Sequence, residues 1–405
     1  MLLLALVACS SSSKTTPDGG DGGPDVPQSE AGPTDTNAPD LSNIDADAPG
    51  LDAGDAPSDG LAASCAEAVH DPVLGTAKLS SSFFVVDSAI LPVTSWLPVA
   101  VVDESVDGGV ALVVYGYNGD GKVHRLGAWP NLSAPDATNL VFDAVSTADR
   151  ARQVMITPSL VTTQGRLLAG YRTIQAGGFV TGGVSMFDTA RPDAGTRWLA
   201  APGIESALGL GSVFLVGGDG LGAVTGPRGV FGVKGDDATA APAQVAKYPT
   251  VPNDVVRPGL MALTSNGLPV MGYYVDGANR HSVRLPPAAA LTDALSGGAP
   301  IDLGAAKELT QSDDVVNLTS FGPGLAVLHS EKVRGILPLL GHLDFHALTP
   351  GGDAGTTVGP AVRMLSANDE GCTVVSQLVP VTGGITMIVG LWDKNGQRLV
   401  RLRAL

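Results

Sequence analysis

Few residues of this chain carry obvious chemistry, and the most pointed arrangement is His342-Leu343-Asp344-Phe345-His346. Side chains alternate between the faces of a strand, so both imidazoles and the carboxylate would share one face and could hold a metal such as zinc. The same alternation also describes an ordinary amphipathic outer strand, with Leu343 and Phe345 inward and His342, Asp344 and His346 in water. No fourth ligand or general base is evident, which makes the second description the simpler one. Gly116 to Lys122 spells G-x-x-x-x-G-K, but Val123 stands where a phosphate-binding loop needs Ser or Thr. Asn118-Gly119-Asp120-Gly121 has the composition of a calcium loop, yet Gly116 and Arg125 occupy places that want carboxylates. Both stretches read as one hairpin turn. Gly218-x-Gly220 follows an apolar run without a helix or an acidic partner behind it, so it is not a dinucleotide site. G-x-S-x-G and H-E-x-x-H do not occur. These patterns assign no catalytic residue and call for no cofactor.

The first nine residues say where such a chain would live. Nine helical residues span only about 14 Å, whereas a bilayer core needs roughly 20 apolar ones, so Met1 to Cys9 cannot be a membrane span. Leu6-Val7-Ala8-Cys9 resembles the lipobox of bacterial lipoproteins. That resemblance implies a diacylglyceryl group on the Cys9 thiol and an acylated amine, several chains that together hold a membrane far better than one. The basic leading segment of a secretory signal is missing, so the expectation is that the natural start lies upstream. Ser10 after the cysteine resembles the outer-membrane sorting pattern of Gram-negative lipoproteins.

Residues 10–62 then change to Ser, Thr, Pro, Gly, Ala and Asp, with eleven acidic residues, one lysine and no aromatic. Such a stretch cannot bury enough apolar surface to offset its chain entropy and reads as a disordered acidic tether. It holds ten of the chain's sixteen net negative charges, and like charges extend it. The acidic balance argues against a nucleic-acid partner.

Residues 63–405 read as all-β. Short runs rich in Val, Leu, Phe and Tyr recur between Gly-containing turns, and no long stretch holds a 3.6-residue period. Aligning Val113–Tyr117, Leu167–Tyr171, Phe214–Gly217, Val270–Tyr273, Leu325–His329 and Ile388–Trp392 gives markers at 116, 170, 217, 272, 329 and 390, spaced by 54, 47, 55, 57 and 61. An Asp-Ala pair lies 20 to 24 residues beyond each of the first five, at 136, 193, 237, 293 and 353. If that pair joins the third and fourth strands of each unit, the sixth unit ends without a fourth strand, and Ser82-Phe83-Phe84-Val85-Val86 can supply it. The expectation is a six-bladed β-propeller of four-stranded blades with N-terminal strand closure. A seven-bladed ring and paired β-sandwiches are the alternatives.

Two cysteines remain beside Cys9. An exported chain favours pairing Cys65 with Cys372, which would fasten the seam of the ring, although two unrelated buried thiols fit the same count. Asp193-Ala194-Gly195-Thr196-Arg197-Trp198 and Asp353-Ala354-Gly355-Thr356-Thr357-Val358 resemble the Asp-box turns of sialidases and related six-bladed propellers. The first has Arg197 for the family's Thr, the second Val358 for its aromatic, and Arg191 and Gly351 replace its leading Ser. In that family these turns are structural, so the resemblance implies architecture and not activity.

The functional expectation is a lipid-anchored outer-membrane protein, facing the periplasm or the surface. It would act as a non-catalytic propeller that binds an envelope protein or a glycan. The alternative is a lipid-anchored glycoside-active hydrolase, which would need paired carboxylates in the channel mouth.

Overall fold

The computed structural model describes residues 71–145, 147 and, connections between strands apart, 159–405. Cys9, the tether at 10–62 and Cys65 lie outside the described residues. The described chain is all-β. Two strands lead, β1 (Lys78–Leu79) and β2 (Phe83–Ile90), and the rest follow in groups. Sheet 1 holds β3 (Val99–Val106), β4 (Gly109–Tyr117), β5 (Lys122–Ala128) and β6 (Leu140–Asp143). Sheet 2 holds β7 (Ser159–Thr163), β8 (Arg166–Ile174), β9 (Val180–Asp188) and β10 (Arg197–Leu199). Sheet 3 is built from β11 (Val213–Val216), β12 (Leu221–Gly226), β13 (Gly229–Lys234) and β14 (Ala243–Lys247). Sheet 4 starts with β15 (Val256–Leu263), β16 (Pro269–Val275) and β17 (Arg280–Arg284). The chain then forms helix α1 (Ala288–Leu295), lends β18 (Ile301–Asp302) to sheet 3 and returns with β19 (Lys307–Thr310). Sheet 5 is β20 (Asp314–Phe321), β21 (Gly324–Glu331), β22 (Leu340–Pro350) and β23 (Thr356–Ser366). Sheet 6 has β24 (Val374–Pro380), β25 (Thr386–Asp393) and β26 (Gly396–Ala404).

Sheet 6 takes its fourth strand from the start of the chain. β2 runs antiparallel to β26 from Phe83 opposite Ala404 to Ile90 opposite Arg398, where residues 82–86 were expected to pair. Just before it, β1 edges sheet 5 by pairing with β23, Lys78 opposite Ser366 and Leu79 opposite Leu365. One short segment therefore borders two sheets in succession. All five Asp-Ala pairs fall between a third and a fourth strand, although Asp293-Ala294 lies in α1 rather than a turn, and 237–238 and 353–354 lie outside the described residues. The third marker is corrected: residue 217 follows a first strand, and the register places Val224 of β12 opposite Val213, as Gly170 of β8 is placed opposite Ser159.

The apolar runs are buried on both faces, which explains why they are nearly continuous rather than alternating. Along β25, Ile388 joins a cluster with Val99, Val101 and Val114 of sheet 1, while Met387, Val389 and Leu391 join one with Ala326, Leu328 and Leu343 of sheet 5. Sheets 1 and 2 share a cluster through Tyr115, Leu160 and Phe187, sheets 3 and 4 through Val245 and Met271, and sheets 4 and 5 through Val283 and Leu325. The first strands sit beside one another in a cycle: β3 against β7, β7 against β11, β11 against β15, β15 against β20, β20 against β24, and β24 against β3.

Buried amides fasten sheet 6 to sheet 1. Gln377 Oε1 accepts from the Val99 N–H at 2.8 Å, its Nε2 donates to the Leu97 carbonyl at 3.0 Å, and Gln397 holds both backbone groups of Leu97. The marker glycine makes this possible, because a Cβ on Gly390 would lie 2.7 Å from Gln377 Cγ and 2.6 Å from Ser376 Oγ. Gly390→Ala is expected to lower stability by about 1–3 kcal/mol through overpacking, read as a lower urea midpoint.

Candidate functional site

Sheet 5 gathers the acid–base groups singled out above, but not in the expected combination. His329 of β21 stands directly opposite His342 of β22, Val327 opposite Asp344, and Leu325 opposite His346. Cross-strand partners share a face, so His329 joins the row that the sequence supplies on β22. The ligand atoms of His329, His342 and Asp344 all lie within 4.8 Å of one another. Asp344 Oδ2 is 3.4 Å from His342 Nε2 and 3.7 Å from His329 Nε2. The two rings stack with centroids 4.7 Å apart and planes 18° from parallel.

His346 stands apart from this group, its ring Nδ1 3.1 Å from the Gly359 carbonyl oxygen. Among the described residues, the ligand atoms that lie together are those of His329, His342 and Asp344, and His346 is not in that group. The picture of three polar groups in water is overturned. β22 is third in its sheet and enclosed on both sides, leaving His342 6%, Asp344 6% and His346 3% exposed. Leu343 and Phe345 do turn to the apolar side, where Phe345 meets Phe321 edge-on. The opposite face, bearing the imidazoles, continues the row of Leu325 and Val327 that packs against sheet 4.

Arg363, opposite Asp344 on β23, supplies the countercharge: its Nε donates to Asp344 Oδ1 at 2.6 Å. Burial alone would raise the Asp344 pKa, but His342 and Arg363 outweigh it and hold the carboxyl at about 2. A depressed acid stabilises the fold above its unfolded pKa, and that contribution disappears as the pH falls through the folded value. In metal-free protein, Asp344→Asn is therefore expected to cost about 2 kcal/mol at pH 7. Chemical denaturation of both proteins from pH 7 to pH 2 should show the difference shrinking below pH 4.

Among the other candidates, Gly116 to Lys122 forms the β4–β5 hairpin as expected. The Lys122 N–H donates to Asn118 Oδ1 at 2.9 Å, and Asp120 pairs with Lys122 at 3.1 Å. Residues 218 and 220 lie outside the described residues, as do 353–355 of the second Asp-box-like turn. The first such turn has Gly195 at φ 69° behind a single 3-10 turn at Pro192–Ala194. Trp129 is a packing residue whose indole donates to Asp87 Oδ1 at 3.1 Å. Cys372 is buried, and the cysteine expected opposite it, Cys65, lies outside the described residues.

The sequence did carry a signal for His329. It is the one marker position where the repeat alignment places an imidazole instead of glycine. Reading it as a ligand required the β21–β22 register, which the sequence leaves open across residues 332–339.

No protein-family model matches this chain, and no curated protein matches it. Among solved structures, the soluble aldose sugar dehydrogenase of Escherichia coli overlays with a TM-score of 0.46 at 12% identity, covering 82% of this chain and 100% of that one. A protein of unknown function from Dyadobacter fermentans gives 0.43 at 11%, covering 80% and 100%. An endo-arabinase from Bacteroides thetaiotaomicron gives 0.35 at 12%, covering 79% and 98%. Likenesses at this level assign no activity to the chain.

Proposed function

We propose that residues 63–405 form a six-bladed β-propeller closed by its N-terminal strand, and that it serves as a non-catalytic binding frame for an envelope protein or a glycan. The observation that carries this reading is the cycle of first strands, in which β24 of the last sheet lies against β3 of the first. Paired sandwiches would bury their faces two by two. Here sheets 1 and 2, 3 and 4, 4 and 5, and 5 and 6 share apolar clusters, and the last sheet shares one with the first. Such a ring is stiff, and its connecting loops can vary without altering the frame.

Lipid on Cys9 and the acidic segment at 10–62 would place the frame at the outer membrane and hold it off an anionic surface. A Cys65–Cys372 bridge would fasten the chain's entry beside Thr373, whose hydroxyl oxygen accepts from the Thr76 N–H at 2.9 Å.

The test has two arms. Metabolic labelling of the full chain with an alkyne fatty acid should mark the protein and send it to the membrane pellet, and Cys9→Ser should abolish both. Purified full chain should then bind an outer-membrane or cell-wall polysaccharide, or one envelope protein, saturably and leave the bound glycan intact. Release of shortened sugars would replace the binding frame with the glycoside-active alternative.

A further inference from the structure

We infer that His329, His342 and Asp344 form a binding site for one divalent transition-metal ion of the zinc type. The site lies within sheet 5 and does not depend on what the frame binds. Its geometry is the first ground. Zinc bonds of about 2.0–2.1 Å place tetrahedral donors roughly 3.3–3.4 Å apart. Asp344 Oδ2 lies 3.4 and 3.7 Å from the two imidazole nitrogens, close to that spacing. The ligand atoms of all three groups lie within 4.8 Å of one another.

The second ground is the chemistry of the donor set. Two imidazoles and a carboxylate suit zinc, copper or nickel better than calcium or magnesium, which take mainly oxygen. Arg363 bonds the other carboxylate oxygen, Oδ1, orienting Oδ2 toward the imidazoles, as a supporting hydrogen bond does for a metal-ligating carboxylate. Three protein donors leave one tetrahedral position for water.

The stacked rings set one requirement. A metal lies in the plane of each imidazole it binds, and planes 18° from parallel on rings 4.7 Å apart cannot both contain it. One ring must turn about χ2, a broad and soft torsion for histidine. Ion binding therefore exchanges the stack for coordination and clamps β21 to β22.

The experiment uses the full chain without a histidine tag, stripped by chelator and dialysed against Zn(II) or Co(II). The expected result is one ion per chain and, with cobalt, a visible d–d band of tetrahedral type. His329→Gln, His342→Gln and Asp344→Asn should each weaken binding by at least about a hundredfold, while His346→Gln should change it less than about threefold. Circular dichroism of each metal-free variant checks that it is folded. Failure of the folded wild type to retain a stoichiometric ion at micromolar concentration overturns the inference without recourse to any variant. Retention by folded His329→Gln, or loss in folded His346→Gln, overturns this choice of ligands.

Discussion

A chain that begins at Leu91 instead of Ala63 is expected to lose its cooperative thermal transition and to associate through an exposed strand. Such a chain lacks β1 and β2, so β26 presents a row of unpaired N–H and C=O groups along an apolar edge. It also lacks Phe83, which is buried among Phe321 and Phe345 with ring centroids 6.1 and 6.3 Å away. Phe83→Ala alone should cost about 3–5 kcal/mol. Asp87 goes with the same strand, and with it the acceptor for Trp129, just beyond β5, and the partner of Arg401 on β26. Calorimetry and light scattering of the two truncations read the effect. A Leu91 start that melts like the Ala63 start would show that β2 is ornamental.

The second large effect concerns the buried pair Asp393–Arg398, on neighbouring strands of sheet 6. The Asp393 side chain is fully buried and that of Arg398 is 10% exposed. Arg398 also reaches the Pro72 carbonyl at 3.4 Å, so the pair helps seat the chain's entry segment. Gly75 packs against it with φ 65°, a backbone conformation that favours glycine, and a Cβ there would lie 2.7 Å from Arg398 Nη2. Removing one ion leaves the other buried without its countercharge. Arg398→Met should therefore destabilise by about 3–5 kcal/mol, and Arg398→Met with Asp393→Leu should recover most of that loss. Urea denaturation of the single and double variants measures both. A single variant within about 0.5 kcal/mol of wild type would mean that water reaches the pair.

The repeat was legible because close packing of consecutive sheets imposes similar demands on each unit. The residue at 116 must be small because a Cβ there would lie 2.9 Å from Leu126 Cδ1, and Gly390 makes room for Gln377 in the same way. The absent fourth strand of the last unit pointed to residues 82–86, since an open edge must be covered by some part of the chain. The third marker was misplaced because Phe214–Gly217 mimics the motif on a first strand, while Leu221–Gly226 carries two glycines and an alanine in place of the usual apolar run. β1 on the edge of sheet 5 was not anticipated, because two residues leave no periodic signal.

The site was half legible. Period-two alternation placed His342, Asp344 and His346 on one face, but the choice among them belongs to the neighbouring strand. Only the register of β21 brings His329 to His342 and leaves His346 to the Gly359 carbonyl. Burial was misjudged for a related reason. A strand alternating polar and apolar residues ordinarily faces water on one side, whereas this one is enclosed between sheets, with Arg363 donating to Asp344 and His342 beside it.

Ring closure by the N-terminal strand is tested most directly by native-state amide hydrogen exchange of the full chain, comparing Phe83–Ile90 with Gly396–Ala404. Strands hydrogen-bonded in one sheet open together. Protection of the two segments should therefore be equal and should fall in parallel as urea is added. Fast exchange across Phe83–Ile90 while Gly396–Ala404 stays protected would contradict it.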